Sequence, residues 1–136
     1  MTPELLKRKV ITKEYFSHPL KSENIRKMVS GHQCFGRKIY ISADLTVYPC
    51  VMERRFSHGN LKYNSLEKIL RQDIMSFNKT RIETCSGCEF RYACHDCRPD
   101  SITNDIYAKP YYCTYDVEHG CWLDADEFVK DFFNED

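Results

Sequence analysis

Cys85-Ser-Gly-Cys88-Glu-Phe-Arg-Tyr-Ala-Cys94-His-Asp-Cys97 places four of the chain's eight cysteines within thirteen residues, in the order C-x2-C-x5-C-x2-C. A C-x2-C pair lets two thiolates from one tight turn hold the same metal centre, and two such pairs in quick succession point to a soft metal ion or an iron–sulfur cluster. The rival reading is a disulfide framework, which needs an oxidising compartment. Two features weigh against it. The opening Met1-Thr-Pro-Glu-Leu-Leu-Lys-Arg-Lys lacks the apolar segment of a secretory signal. Eight cysteines in 136 residues also fall below the roughly 8–10% of short disulfide scaffolds. The expected compartment is the cytoplasm.

Working outward, Cys34, Cys50, Cys113 and Cys121 flank the central run. Eight thiols suffice for two four-coordinate sites. Between Cys34 and Cys50, Ile39 and Ile41 alternate with Lys38 and Tyr40, Asp44 supplies a turn, and Val47 and Tyr48 resume a β-rich run. This predicts a hairpin from about Lys38 to Tyr48, closed by Pro49, with Cys34 and Cys50 brought together at its open end. On the other side, residues 98–112 lack apolar periodicity and read as a loop that delivers Cys113 to Cys85, Cys88 and Cys94. Tyr107, Tyr111, Tyr112, Tyr115 and Trp122 are then expected to shield that centre from water.

The rest reads as helices and connections. Thr2 caps a first helix with Pro3 at its first position. A second runs from Ser22 to Val29, with Ile25, Met28 and Val29 facing the core and Gly31 as a left-handed cap. Residues 51–60 read as a polar connection in which Arg54, Arg55 and His58 are solvated. Ser65 caps a helix through Phe77 with one apolar stripe of Leu66, Ile69, Leu70, Ile74 and Phe77. Asp124 and Glu127 open a last helix carrying Phe128, Val129, Phe132 and Phe133 on one face. The fold class is therefore small α+β: a β-hairpin, short helices and cysteine-rich loops around two metal or cluster sites. A single domain covers 1–136, with a helical N-terminal extension over 1–33, a core over 34–122 and a C-terminal helix over 123–136. Formal net charge is zero, which removes the electrostatic footprint of a nucleic-acid binder, and no apolar run is long enough to span a membrane.

The order Cys34, hairpin, Cys50, gap, C-x2-C-x5-C, Cys97, gap, Cys113 resembles the SPASM domain, the auxiliary iron–sulfur module at the C-terminus of many radical SAM peptide-modifying enzymes. The text from Cys85 to Arg98-Pro, with Lys109-Pro110, Cys113-Thr-Tyr-Asp and Trp122 downstream, is similar to the maturases of grasp-with-spasm peptide systems. The resemblance implies two 4Fe-4S clusters. Cys34, Cys50 and Cys97 would hold the first, with Cys121, an open iron position, or His32, His58 or His95 as its fourth ligand. Cys85, Cys88, Cys94 and Cys113 would hold the second. It implies as partners a radical SAM core domain and a precursor peptide from ribosomal peptide natural product maturation. The chain departs from the family pattern at two places. Leu45 stands where the pattern has a glycine five positions before its second cysteine, and two residues rather than three separate Cys94 from Cys97.

No three cysteines have the C-x3-C-x2-C spacing that leaves one iron free for S-adenosylmethionine. The length is also short of a (β/α) barrel, whose full form takes about 250 residues. The chain is therefore expected not to be catalytic alone, but to relay an electron or anchor a peptide as a module or part of a larger enzyme. The competing reading is a structural zinc module with two Zn²⁺ on the same cysteines, mediating a protein interaction. An independent catalyst is the weakest reading: His95 and Asp96 read as solvated residues of the cysteine-rich turn, and no nucleophile with a histidine partner stands out.

Overall fold

The hairpin between Cys34 and Cys50 forms, with β1 (Tyr40–Ile41) pairing antiparallel to β2 (Thr46–Tyr48) in the register Tyr40 to Tyr48 and Ile41 to Val47. Its turn is built by Asp44, whose carboxylate accepts from the Thr46 backbone N–H at 3.1 Å and the Thr46 hydroxyl at 3.0 Å. Leu45 takes the left-handed conformation there, with φ 69°. The family pattern's glycine position is thus a position that demands positive φ, and a leucine fills it. A third strand, β3 (Gly59–Asn60), adds to β2 inside the expected polar connection. Strand pairing here comes from tertiary contact rather than local pattern.

The computed structural model describes residues 1–134, and these form a small α+β fold with four α-helices and two small antiparallel sheets. The second sheet is a short hairpin of β4 (Tyr115–Asp116) and β5 (Cys121–Trp122). Helix α1 (Pro3–Lys9) starts as expected, the Thr2 hydroxyl accepting from the Leu5 N–H at 3.3 Å. It packs against α4 (Ala125–Phe132), whose start is capped by Asp124 accepting from the N–H groups of Asp126 and Glu127. Leu6 and Val129 are buried between them, whereas Phe132 keeps 40% of its surface exposed.

Three expectations are corrected. Helix α2 (Ser22–Ser30) ends at Gly31 in an extended rather than left-handed conformation, with φ 167°. Close approach requires glycine at Gly36 instead, where a Cβ would stand 2.6 Å from the Met75 carbonyl oxygen, whereas at Gly31 it would stand at an ordinary 3.4 Å. Of the apolar positions of α2, only Met28 is buried, and Ile25 and Val29 face out. The helix expected from Ser65 to Phe77 breaks into α3 (Leu66–Leu70) and a 3₁₀ turn, Asp73–Ser76. At the break Gln72 is extended and its side-chain amide donates to the His58 carbonyl at 2.6 Å. The break buries Ile69, Ile74 and Phe77 and leaves Leu66 and Leu70 exposed, so the stripe is only partly used.

Two apolar clusters result. One gathers Phe35, Phe77, Ile82 and Ile106 with Cys34, and Cys85 packs at its edge. The other joins Leu6, Ile11, Tyr112 and Val129 with Cys94. The cysteine-rich segment therefore lies between the two cores.

Candidate metal centres

All eight cysteines are free thiols. Four of them, Cys85, Cys88, Cys94 and Cys113, line one narrow pocket. Cys85 opens a 3₁₀ turn, Cys85–Gly87, and the Cys88 N–H returns to the Cys85 carbonyl at 3.1 Å, so the C-x2-C pair occupies a single tight turn. A second turn, closed by the Cys94 N–H on the Phe90 carbonyl at 2.9 Å, carries Cys94 back to the same wall. Cys113 arrives through a parallel bridge with Ile11, in which the Ile11 N–H donates to the Tyr112 carbonyl at 2.8 Å. The loop from Arg98 to Tyr112 thus delivers Cys113 as its spacing suggested, and the N-terminal segment holds it there.

The remaining walls are mostly apolar. Phe16, Phe90, Tyr115 and Trp122 form one aromatic group, with Phe16 stacked on Phe90 at 4.7 Å and Tyr115 against Trp122 at 4.7 Å. Of the five aromatics expected to screen the centre, Tyr115 and Trp122 do so. Tyr107 packs on Phe77, Tyr111 packs on Phe132, and the Tyr112 hydroxyl accepts from the Cys97 N–H at 2.8 Å. Phe16 and Phe90 carry no sequence signal that singles them out. Dry walls tell on the thiols: burial pushes Cys85 up to about 11 and Cys94 up to about 12. Among the described residues no three His, Cys, Asp or Glu side chains converge on a single ion position. The four thiols are distributed round the pocket's walls.

Cys34, Cys50 and Cys97 form a second set. Each of Cys34 and Cys97 lies within electrostatic reach of Cys50 and of the other. Burial first raises the Cys34 thiol and the charge of Cys50 raises it further, while Cys97 is pushed up to about 11 by partial desolvation and by Asp100, Cys34 and Cys50. A backbone donor already points at one of these sulfurs: the Glu53 N–H reaches Cys50 Sγ at 3.3 Å. N–H groups aimed at thiolates are the polar environment that tunes a sulfur-ligated centre.

Cys121 is exposed on β5 opposite Asp116, beside Tyr115 and Trp122, which wall the four-cysteine pocket. The histidines also sort themselves. His95 is exposed. His32 is spent, its Nδ1 accepting from the Cys34 N–H at 3.1 Å and its Nε2 lying 3.1 Å from Asp96. His58, expected in solvent, is buried against Phe35 and Phe56, with neither ring nitrogen partnered.

Asp96 is the other residue misplaced by sequence reasoning. It is 1% exposed and surrounded by His32, Lys79 and Arg98. Burial alone would raise its carboxyl, but the hydrogen bond from His32 and the charges of Lys79 and Arg98 outweigh that and hold it well below the usual carboxylate range. Arg55, expected as a mobile charge, clamps the buried Glu53 and reaches across to the Arg98 carbonyl at 2.5 Å, tying the Cys50 loop to the Cys97 loop. Arg54 lies over the rings of Tyr40 and Tyr48, 4.6 Å from each centroid. A charged residue flanked by cysteines reads as surface in one dimension. Only the packing of its distant partners shows it to be buried.

Residues 34–98 match the family model of SPASM, an iron-sulfur cluster-binding domain. The matched span holds Cys34, Cys50, Cys85, Cys88, Cys94 and Cys97, while Cys113 and Cys121 lie beyond it. No curated protein and no solved structure matches the chain. No helix among the described residues is long and apolar enough to cross a membrane.

Proposed function

We propose that the chain is an auxiliary iron–sulfur module of a radical SAM peptide-modifying enzyme, holding two 4Fe-4S clusters and serving as an electron relay or as an anchor for a precursor peptide. The observation that carries this reading is the pocket in which Cys85, Cys88, Cys94 and Cys113 meet between apolar and aromatic walls. Its donor set is all thiolate, as iron–sulfur clusters require.

When bound, such clusters supply one-electron redox chemistry whose potential follows charge, hydrogen bonding and solvent exposure. The chain's residues do the rest. Phe16, Phe90, Tyr115 and Trp122 exclude water from one centre, and the Glu53 N–H orients and stabilises the Cys50 thiolate at the other. Cys34, Cys50 and Cys97 would hold the first cluster, leaving its fourth position to an exogenous ligand, to substrate or to a rearranged side chain. The partner reading, a radical SAM core domain with its peptide in a reducing cytoplasm, rests on the likeness of the cysteine order.

The test is iron, acid-labile sulfide and zinc per chain after anaerobic reconstitution, with an absorption spectrum. About eight iron and eight sulfide, with broad absorption near 400 nm, are expected for two 4Fe-4S centres. About two zinc with no sulfide and no colour would replace this function with a structural zinc module.

A further inference from the structure

Between the two cysteine sets lies a group of charges that no solvent reaches. Asp96, Lys79, Arg98 and His32 are each 1% exposed or less. Asp96 is contacted on one carboxylate oxygen by Lys79 and by His32, and on the other by Arg98, whose Nε donates at 2.6 Å. Arg98 spends its remaining reach on the carbonyls of Ile106 and Ala108, both at 2.8 Å. His32 accepts at Nδ1 from a backbone N–H, so its proton sits on Nε2 facing Asp96 and the ring is neutral. The group therefore holds two cations, Lys79 and Arg98, against one anion, Asp96.

An unbalanced buried cation is costly, and proteins rarely bury one without a counter-charge. The direction of Lys79 shows where that counter-charge belongs. Its Nζ, besides meeting Asp96, donates toward Cys94 Sγ at 3.4 Å. Lys79 is held in this orientation by its turn, Lys79–Arg81, where the Asn78 side chain accepts from the Thr80 N–H at 2.9 Å and donates to the Val29 carbonyl at 2.9 Å. On the far side of Asp96, His32 receives the Cys34 N–H at 3.1 Å. One carboxylate thus stands between the Lys79 ammonium, which reaches the four-cysteine pocket, and the His32 ring, which holds the Cys34 backbone.

We propose that Lys79 is a positioning residue for the Cys85, Cys88, Cys94 and Cys113 centre, its ammonium balancing the charge of the metal-bound Cys94 thiolate, and that Asp96, through His32, extends this balance to the Cys34 side so that the two centres are electrostatically linked. This rests on the iron–sulfur reading above. A fixed positive charge beside a cluster favours its reduced, more negative state, and Asp96 partly cancels that effect for both centres.

Redox titration of the anaerobically reconstituted chain, followed by visible absorption and electron paramagnetic resonance, tests it at matched iron content. Lys79→Met is expected to lower the potential of the four-cysteine centre by at least 59 mV, a tenfold change in its reduced-to-oxidised ratio for a one-electron couple. Lys79→Arg is expected to hold it within that range of the wild type. Asp96→Asn is expected to raise the potentials of both centres. Opposite signs for the two charge removals are something a merely structural role would not produce. A Lys79→Met chain with full iron and an unmoved potential overturns the proposal. Should that variant take up no iron, Asp96→Asn decides alone, and unmoved potentials overturn it. A wild-type chain that takes up no iron and sulfide instead removes the iron–sulfur reading and this inference with it.

Discussion

Ile11 lies bridged in parallel to Cys113: its N–H donates to the Tyr112 carbonyl at 2.8 Å, and its carbonyl accepts from the Thr114 hydroxyl at 2.8 Å and the Thr114 N–H at 3.3 Å. The two residues are about a hundred positions apart, and the pairing makes the N-terminal segment part of the cysteine pocket.

Ile11 is 3% exposed and lines that pocket. Ile11→Ala is expected to destabilise the fold by about 2–4 kcal/mol through the lost apolar volume and the cavity left behind. Because the same residue backs Cys113, the variant should also lose iron from the four-cysteine centre faster under a chelator than the wild type. Thermal melting together with chelator-release kinetics checks both, and a melt shifted without faster iron loss would separate Ile11 from the site.

Leu45 sits at φ 69° with 40% of its surface exposed. A side chain costs on the order of 1 kcal/mol in that conformation, while little apolar burial is lost on removing it. Leu45→Gly keeps the turn's backbone bonds from the Leu45 N–H to Ser42 and from the Leu61 N–H to Leu45. It is expected to stabilise by about 0.5–1 kcal/mol net of the entropy glycine adds to the unfolded chain, raising the melting temperature by a few degrees. Calorimetry on the pair reads this directly.

His58 is 3% exposed with both ring nitrogens unpartnered. An unsatisfied buried polar group costs about 1–3 kcal/mol, so His58→Leu is expected to stabilise the fold. Burial lowers the His58 pKa in the folded chain. The unfolded chain therefore binds a proton, with a pKa near 6.5, that the folded chain refuses, and stability contributed by His58 falls as pH drops below about 6.5. Denaturant unfolding at pH 7.5 and pH 5.5 should show a larger loss for the wild type than for His58→Leu; equal losses would contradict the buried, unpaired placement.

Cys88 and Cys121 should differ sharply. Cys88→Ala removes a thiol from the turn that starts the four-cysteine pocket, and a structural metal site contributes on the order of 10 kcal/mol of folding free energy. It is expected to lose that centre's iron and melt well below the wild type. Cys121 is exposed on β5 opposite Asp116. Cys121→Ala is expected to leave iron per chain unchanged, and a loss of about half would show that β5 rearranges to supply a ligand.

Much of the site is legible in one dimension because tight turns obey local rules. The C-x2-C turn at Cys85, the hairpin between Cys34 and Cys50, the Thr2 and Asp124 caps and the mixed α+β class follow from neighbouring residues alone, since each is closed by bonds spanning a few positions. The tertiary structure alone decided where charge is buried. Asp96 reads as a solvated residue because its partners His32 and Lys79 lie 64 and 17 positions away, and only the folded chain removes the water between them. The same holds for β3 and for the Ile11 to Cys113 bridge. These depend on which distant segments share a core, a choice settled by the summed burial of many side chains rather than by any local pattern.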